Sequence, residues 1–245
     1  MIERKIHYCW FGGRPLPLQA KRCLASWAYY LPDYKVVRWD EQSFDVHSHP
    51  FTAAAYAAGR YAFVADYVRM LVLQRHGGIY LDVDVEMCGR FDGLLEQRFF
   101  IGLEDSKRFA TSVIGAVAGH WLPAHMLEFY DSAVFDDGRL AELVNVNEVS
   151  RALLARGFSG EGGCEVIDRD QVLPVGVFSA ARRGTAGQSK PIARHLYAGS
   201  WRSRDKKGLL SNSWRWLRKL PEQISAVVHL FAYRMGRVLQ KNKIV

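Results

Sequence analysis

The sequence predicts an α/β fold in which helices flank a mainly parallel sheet, followed by a basic helical extension. Short apolar runs alternate with longer segments of helical periodicity, which is the order that builds parallel strands joined by helices. Glycine turns and a proline mark several junctions between these segments. With 49% hydrophobic residues, the 245-residue chain can bury the core of one such domain.

The elements follow one another clearly in the first third of the chain. KIHYCWFGG predicts a strand closed by a glycine turn, LPLQAKRCLASWAYY a helix that stops at Pro32, and DYKVVRWD a second strand. The alanine-rich segment 51–76 is mostly helical, with a break at Gly59 and a C-cap at Gly77. IYLDVDVE then predicts a third strand.

Further strands are predicted in FFIGLE, SVIGAVAG and CEVIDRDQVLPV, and further helices in LPAHMLEFYDSAVF and LVNVNEVSRALLARG. We find no internal repeat. The four cysteines form no CxxC pair and are interpreted as reduced thiols of a cytosolic protein, rather than as zinc ligands or disulfides. The N-terminus lacks an apolar signal segment, and no apolar run has the length of a membrane span.

Positive charge is concentrated at the C-terminus. Residues 202–245 hold 11 basic and two acidic side chains, a formal +9, whereas the whole chain carries +8, so the rest is near neutral at −1. We therefore divide the chain into a domain at 1–201 and a basic amphipathic helical extension at 202–245. A charge confined to one segment is no indication of nucleic-acid binding by the whole protein.

Asp82 and Asp84 stand one residue apart at the end of the apolar run GGIYLDVDVE. Side chains alternate along a strand, so both carboxylates are expected on one face, at the strand end where α/β sheets place their chemistry. Two like charges there need a compensating ligand, which favours a functional pair. The similar string at Asp168 and Asp170 is interpreted as a surface turn.

Two chemistries use carboxylates in this way. In the first, the pair holds Mg²⁺ or Mn²⁺, and the ion neutralises the departing diphosphate of a nucleotide-sugar. In the second, Asp82 is a nucleophile and Asp84 a general acid, as in haloacid-dehalogenase-like phosphatases, with Asp136 and Asp137 as a second acidic pair. That phosphatase motif normally ends the first strand of its domain, whereas two predicted strands precede it here.

Neighbouring residues favour the first chemistry. Asp66 and Arg69 lie at i, i+3 on the helix that leads into the acidic strand, where they suit sugar hydroxyls and phosphate; the alternative is a surface salt bridge. Trp10, beside the first glycine turn, suits stacking on a nucleobase; the alternative is a core tryptophan.

Four segments in this order, IHYCWFGG, YAFVADYVRM, GGIYLDVDVE and HLYAGSW, resemble glycosyltransferase family 32, the group with a DXD-containing sugar-binding region. That group includes capsular-polysaccharide transferases and mannosyltransferases. The first three segments are more distantly similar to the catalytic domain of clostridial glucosylating toxins. The resemblance spans about residues 3 to 201 and implies a GT-A-type, Rossmann-like fold and a retaining hexosyl transfer from a nucleoside-diphosphate sugar.

The resemblance also implies roles for individual residues. Asp82, Asp84, Asp66 and Arg69 would be catalytic, and Asp82, Asp84 and His195 would hold Mn²⁺ or Mg²⁺. A second histidine that relatives often carry is Leu196 here. The donor would be bound by a further set of residues: Trp10, Tyr80, Gly78, Ser200 and Trp201.

The expected partners are a UDP- or GDP-hexose and a glycan or lipid-linked saccharide acceptor, in capsule- or O-antigen-type synthesis. The basic tail is interpreted as a contact with the cytoplasmic face of an inner membrane; the alternative is a helix packed on the domain with a solvated basic face. A non-catalytic module that binds a sugar nucleotide is the remaining alternative to an enzyme.

Overall fold

The computed structural model describes residues 1–179 and 191–198. Five helices are present in these ranges: α1 (Leu18–Tyr30), α2 (Pro50–Ala57), α3 (Tyr61–His76), α4 (Trp121–Ser132) and α5 (Asn145–Ala155). The strands are β1 (Lys5–Cys9), β2 (Lys35–Trp39), β3 (Gly78–Leu81), β4 (Val85–Met87), β5 (Phe99–Asp105), β6 (Arg108–Ala116), β7 (Glu165–Ile167), β8 (Asp170–Leu173) and β9 (Ala193–His195).

Seven strands form the central sheet in the order β2-β1-β3-β6-β5-β8-β7, and β4 pairs with β9 in a small second sheet. Strand β1 is parallel to both β2 and β3, and β5 is parallel to β8. Strand β6 is antiparallel to β3 and β5, and β7 is antiparallel to β8. Five of the seven strands therefore run in one direction, and the predicted mainly parallel sheet flanked by helices is confirmed.

Each face of the sheet is covered by its own apolar cluster. Trp27 of α1 and Leu31, the residue that caps this helix, pack with Ile79 and Leu81 on one face. Tyr80 faces a cluster built by α2 to α5 on the other. The alternation along β3 follows from the two-residue period of a strand. Helix α3 lies over the face that carries Tyr80. Only Gly77 separates the end of this helix from the start of β3.

Glycines define both ends of α3. Gly59, at φ 69°, separates α2 from α3, and Gly77, at φ 60°, follows the last turn of α3 and donates its N–H to the Leu73 carbonyl at 2.9 Å. A Cβ at Gly77 would stand 2.6 Å from the Ala118 nitrogen, so close backbone packing also requires glycine there. Both predicted boundaries are confirmed.

The prediction of one continuous strand through the two aspartates is wrong. Strand β3 ends at Leu81, the Val85 N–H closes a turn on the Asp82 carbonyl at 3.0 Å, and β4 continues in the second sheet. The physical reason lies outside the local pattern, since β4 leaves the main sheet to pair with β9, more than 100 residues later. A turn, and not strand alternation, therefore brings the two carboxylates together.

The segment CEVIDRDQVLPV is two strands, not one. Asp168 and Arg169 both have positive φ, at 50° and 67°, and form the two-residue turn between β7 and β8. Asp168 is exposed there, as expected. Asp170 is buried instead, accepting from Trp121 Nε1 at 2.7 Å and bonding His120 Nε2 at 2.9 Å, so its assignment to a surface turn is corrected.

The predicted C-terminal extension falls outside the described residues. Among the helices that are described, none combines the length and the apolar character that crossing a bilayer requires.

Candidate active site

Three side chains with metal-ligand chemistry converge at the carboxyl end of β3. One ligand atom from each of Asp82, Asp84 and His195 lies within 4.8 Å of the others. Asp82 follows β3, Asp84 precedes β4, and His195 ends β9, where the β4–β9 ladder pairs it with Val85. The second sheet thus carries a residue from far along the chain to the aspartate pair. His195 Nε2 lies 3.3 Å from Asp84 Oδ1.

The backbone after His195 wraps around Asp84. The Leu196 N–H donates to the Asp84 carbonyl at 3.0 Å, and the Ala198 N–H donates to Asp84 Oδ2 at 2.8 Å. Between them, Tyr197 places its ring 4.1 Å from the His195 ring, centroid to centroid. Asp84 is therefore held by a side chain and by two backbone groups of one short segment.

Arg69 joins α3 to the aspartate pair. Its Nη1 lies 3.1 Å from Asp66 Oδ1 and its Nη2 lies 2.7 Å from Asp82 Oδ1, while its guanidinium stands 4.4 Å from the centre of the Tyr80 ring. Only 4% of the arginine side chain is exposed. The alternative of a surface salt bridge is therefore wrong, because the arginine of the pair is buried.

A second set of contacts fixes Asp66, and sequence reasoning missed it. Asn145, the first residue of α5, donates its amide to Asp66 Oδ1 at 2.9 Å and accepts from Thr111 Oγ1 at 3.1 Å. Both residues are buried. No local pattern distinguishes Asn145, since it lies in a segment whose periodicity predicts only a helix.

The environment separates the pKa values of these groups. Burial raises the pKa of Asp66 to about 6, and burial also raises the pKa of Asp82, although Arg69 opposes the change. For Asp84, burial acts upward, but the hydrogen bonds from His195 and from the Ala198 N–H bring its pKa below the ordinary value. For His195, burial acts downward and the hydrogen bond with Asp84 reverses it, so its pKa is raised.

Exposure distinguishes groups that a ligand can reach from groups that only support them. The side chains of Asp66, Asp82, Asp84 and His195 keep between 15% and 26% of their surface exposed, against 4% for Arg69. The acidic groups and the histidine therefore border solvent, while the arginine lies behind them.

The structure places the residues predicted to bind the donor in different surroundings. Trp10 is half-buried just beyond β1, at the same sheet edge as the aspartates, and its Nε1 donates to the Arg14 carbonyl at 2.5 Å. Tyr80 is 1% exposed beneath Arg69, so its predicted position near the donor sugar is corrected to that of a support for the arginine.

The assignment of Gly78 to the donor site is also corrected. It begins β3, at the end of the strand opposite to Asp82, and a Cβ there would stand 2.7 Å from the Lys5 carbonyl oxygen. Its need for glycine arises from the close approach of β1. Ser200 and Trp201 lie outside the described residues.

The three converging groups fit a divalent cation. Carboxylate oxygens are the ligands that Mg²⁺ and Mn²⁺ prefer, and an imidazole nitrogen is compatible with Mn²⁺. Three protein ligands would leave coordination positions of such an ion for substrate oxygens.

Comparisons with known proteins agree with this geometry. The family described as "Glycosyltransferase sugar-binding region containing DXD motif" matches residues 17–100. Inositol phosphoceramide mannosyltransferase 3 of Schizosaccharomyces pombe is 32% identical over 93 residues, which are 36% of this chain and 26% of that protein. The match thus spans about a quarter of the length of that curated relative.

One solved structure shows the fold, and a second is similar at a lower score. The PaToxG glycosyltransferase superposes with a TM-score of 0.51 at 16% identity, covering 64% of this chain and 69% of that one. The glycosyltransferase GlyE of Streptococcus pneumoniae TIGR4 superposes with a TM-score of 0.46 at 14% identity, covering 95% and 64%. The chain thus has a GT-A-type fold, and residues 17–100, which contain Asp82-Val83-Asp84, match the family described by a DXD-containing sugar-binding region.

Proposed function

We propose that the protein is a metal-dependent retaining glycosyltransferase that moves a hexose from a nucleoside-diphosphate sugar to a hydroxyl of a glycan. One observation carries the proposal: the DXD aspartates and His195 bring their ligand atoms within 4.8 Å of one another, and the buried Arg69 bridges Asp82 to Asp66. An acidic turn that is only solvated does not need a histidine from a distant strand and a buried arginine beside it.

Each residue has a distinct task in this proposal. Asp82, Asp84 and His195 would hold the cation, and the cation would supply positive charge beside the departing diphosphate. Asp66, which borders solvent, accepts hydrogen bonds from hydroxyls of the donor sugar. Arg69 is enclosed by Asp66, Asp82 and Tyr80, so it orients the two carboxylates. Trp10 stacks on the base at the same edge of the sheet.

In the transfer, the bond between the anomeric carbon and the diphosphate oxygen breaks, and a bond to the acceptor oxygen forms. The acceptor proton passes to the departing diphosphate. Asp66 and Asp82 are both paired with Arg69, which makes them poor covalent nucleophiles. We therefore propose attack by the acceptor on the face from which the diphosphate leaves, with retention, as the family resemblance implies.

The same contacts disfavour a phosphatase. That chemistry requires Asp82 as a free nucleophile, yet its Oδ1 lies 2.7 Å from Arg69 Nη2. The DXD motif also follows the third strand in chain order, whereas the phosphatase motif ends the first.

The biological setting belongs to the proposal as well. We propose UDP- or GDP-hexose as donor, a glycan or lipid-linked saccharide as acceptor, and surface-polysaccharide synthesis as the process. Contact of the basic extension with the cytoplasmic face of an inner membrane would bring the site to a lipid-linked acceptor.

A donor panel tests the function. The full-length protein is incubated with UDP- and GDP-hexoses and Mn²⁺, and release of the nucleoside diphosphate is measured with and without a chelator. We expect hydrolysis of one donor that the chelator abolishes. Asp84→Asn should lose this activity, whereas Asp168→Asn, in the exposed turn of the other DxD string, should keep it.

The outcomes separate the three classes of function. Turnover of phosphomonoesters without donor hydrolysis would favour the phosphatase, and tight donor binding without turnover in the presence of saccharide acceptors would favour a binding module. Equal activity of Asp84→Asn and the wild type would overturn the assignment of the DXD motif.

A further inference from the structure

Tyr197 has a backbone conformation that the rest of the site does not explain. Its φ is 48°, in the left-handed region that bulky side chains avoid. Three other non-glycine residues of the described chain share this feature: Lys107, Asp168 and Arg169. Those three lie in the tight turns between β5 and β6 and between β7 and β8, where hairpin geometry favours positive φ. Among the described residues Tyr197 belongs to no turn between paired strands, so hairpin geometry does not account for its conformation.

The cause is visible in the hydrogen bonds on either side. The N–H of Leu196 points to the Asp84 carbonyl and the N–H of Ala198 to Asp84 Oδ2, so both flanking amides turn toward one residue. Left-handed residues between such amides form concave backbone sites that bind anionic groups. A right-handed or extended Tyr197 would direct the Ala198 N–H away from Asp84.

The Tyr197 side chain contacts His195, another residue of the proposed cation site. Its ring lies 4.1 Å from the His195 ring, at an interplanar angle of 37°, while the other side of the segment is fixed by the His195 N–H donating to the Phe178 carbonyl at 3.1 Å. With 46% of its surface exposed, Tyr197 gains little from burial, so packing in the core does not account for its strained backbone.

We infer that Tyr197 is a positioning residue of the cation site: its backbone orients Asp84 and its ring orients His195. The inference rests on the metal dependence in the proposed function and assigns to that site a support outside the DXD motif. Groups that orient metal ligands typically change metal affinity when they are replaced.

Three substitutions separate the two contributions. Tyr197→Phe keeps the ring and the backbone preference, Tyr197→Gly keeps access to positive φ but removes the ring, and Tyr197→Val removes the ring and also disfavours positive φ. The matched control is Lys107→Val, which places the same β-branched residue at another exposed position with positive φ, in the turn between β5 and β6.

The measurement is the affinity of the full-length protein for Mn²⁺ alone, from the electron paramagnetic resonance signal of the free ion. We expect Tyr197→Phe, which keeps the ring, to retain more affinity than Tyr197→Gly, and Tyr197→Val to lose about tenfold or more relative to the wild type. Lys107→Val should retain wild-type affinity. Circular dichroism of each variant confirms that the fold is kept, and the glycine variant supplies the test where the valine variant does not fold.

A ring-current shift gives a second readout that needs no metal. The ring protons of His195 should move in the NMR spectrum when Tyr197 is changed to Gly, and should stay in place in Lys107→Val. Wild-type Mn²⁺ affinity in both Tyr197→Gly and Tyr197→Val would overturn the inference and leave the transferase function intact. Intact Mn²⁺ binding by the wild type without hydrolysis of any donor would overturn the function and leave the inference standing. A wild type that binds no Mn²⁺ overturns both the inference and the metal dependence.

Discussion

Buried charge is the central feature of the site at the scale of single residues. Arg69 compensates two carboxylates whose pKa values burial raises, to about 6 in the case of Asp66. The arginine therefore serves stability and function together, since the same ion pairs that neutralise Asp66 and Asp82 also fix their orientation toward solvent.

We expect Arg69→Met to destabilise the protein by about 3–5 kcal/mol at pH 8, because it leaves two partly buried carboxylates without their counter-charge. The loss should shrink at pH 5, where both acids can take up protons in the variant and the uncompensated charge disappears. Urea unfolding at the two pH values measures the effect.

Arg75→Met is the matched control for this prediction, because Arg75 is exposed on the same helix. Its unfolding free energy should change by less than about 0.5 kcal/mol, as is usual for surface sites. A loss in Arg69→Met that is the same at both pH values would show that packing, and not charge, accounts for its effect.

A second residue-scale prediction concerns His7, which lies on β1 away from the cation site. Its Nε2 bonds the Gly77 carbonyl at 3.0 Å and its Nδ1 accepts from Trp39 Nε1 at 3.0 Å, so the folded protein requires the neutral ring. Burial lowers the pKa of His7 from 6.5 to about 4, with smaller effects from Lys5, His76 and Glu3. Between pH 6.5 and 4 the unfolded chain thus binds more protons than the folded one, and stability falls as pH falls.

His7→Phe removes this titration. We expect the slope of unfolding free energy between pH 6.5 and 4 to flatten in the variant, while its stability at pH 7.5 falls by about 1–3 kcal/mol because the Gly77 carbonyl and the Trp39 N–H lose their hydrogen bonds. Chemical denaturation across the pH range measures both. His47→Phe, at an exposed position, should keep the wild-type slope; an unchanged slope in His7→Phe would contradict the assignment.

At the scale of elements, the sequence predicted what local patterns determine. The period of apolar residues located α1, α3 and α4, and glycines with positive φ marked both ends of α3. The turn at Asp82-Val83-Asp84 was missed because IYLDVDVE has an unbroken strand pattern, and the turn arises from the pairing of β4 with β9. Asn145 was missed for the same reason, since its contacts with Asp66 and Thr111 join distant parts of the chain.

The residues of the candidate site were easier to predict from the sequence than the turn and the strand pairing that bring them together. Asp82, Asp84 and His195 were named from the order of motifs, and the structure brings their ligand atoms together. Tyr80 and Gly78 were placed wrongly because they adjoin the motif in sequence, whereas one lies beneath the arginine and the other at the far end of β3. Proximity in sequence predicts a shared element, but it does not predict which side chains border solvent.

The C-cap of α3 offers a test at this scale. Gly59 and Gly77 both have positive φ, but a Cβ at Gly59 meets nothing within 4 Å, whereas a Cβ at Gly77 meets backbone at 2.6 Å. We expect Gly59→Ala to cost about 1–2 kcal/mol from backbone strain alone. Gly77→Ala should cost more, by a further ~1–3 kcal/mol of overpacking. Thermal unfolding of the two variants measures the difference, and equal losses would rule out the steric contribution.

At the scale of the whole molecule, charge and chemistry occupy different parts of the chain. The site lies at the edge of the sheet within the first 201 residues, whose formal charge is −1, while residues 202–245 carry +9. A near-neutral domain with a basic extension fits an enzyme whose acceptor is held at an anionic surface, because each basic residue near such a surface contributes about 1 kcal/mol of attraction.

Binding to lipid vesicles tests this division. We expect the full-length protein to co-sediment with vesicles that contain anionic phospholipid and to be released by high salt, because screening weakens the attraction. Neutral vesicles should bind it weakly. Deletion of residues 203–245 should abolish sedimentation while leaving metal-dependent donor hydrolysis in place, since the described residues of the proposed cation site all precede the deletion.

A full-length variant with the tail's lysines and arginines changed to glutamine separates the effect of the tail's charge from that of its apolar residues. Binding by that variant as strong as the wild type's would show that apolar insertion, and not charge, holds the protein on the vesicle.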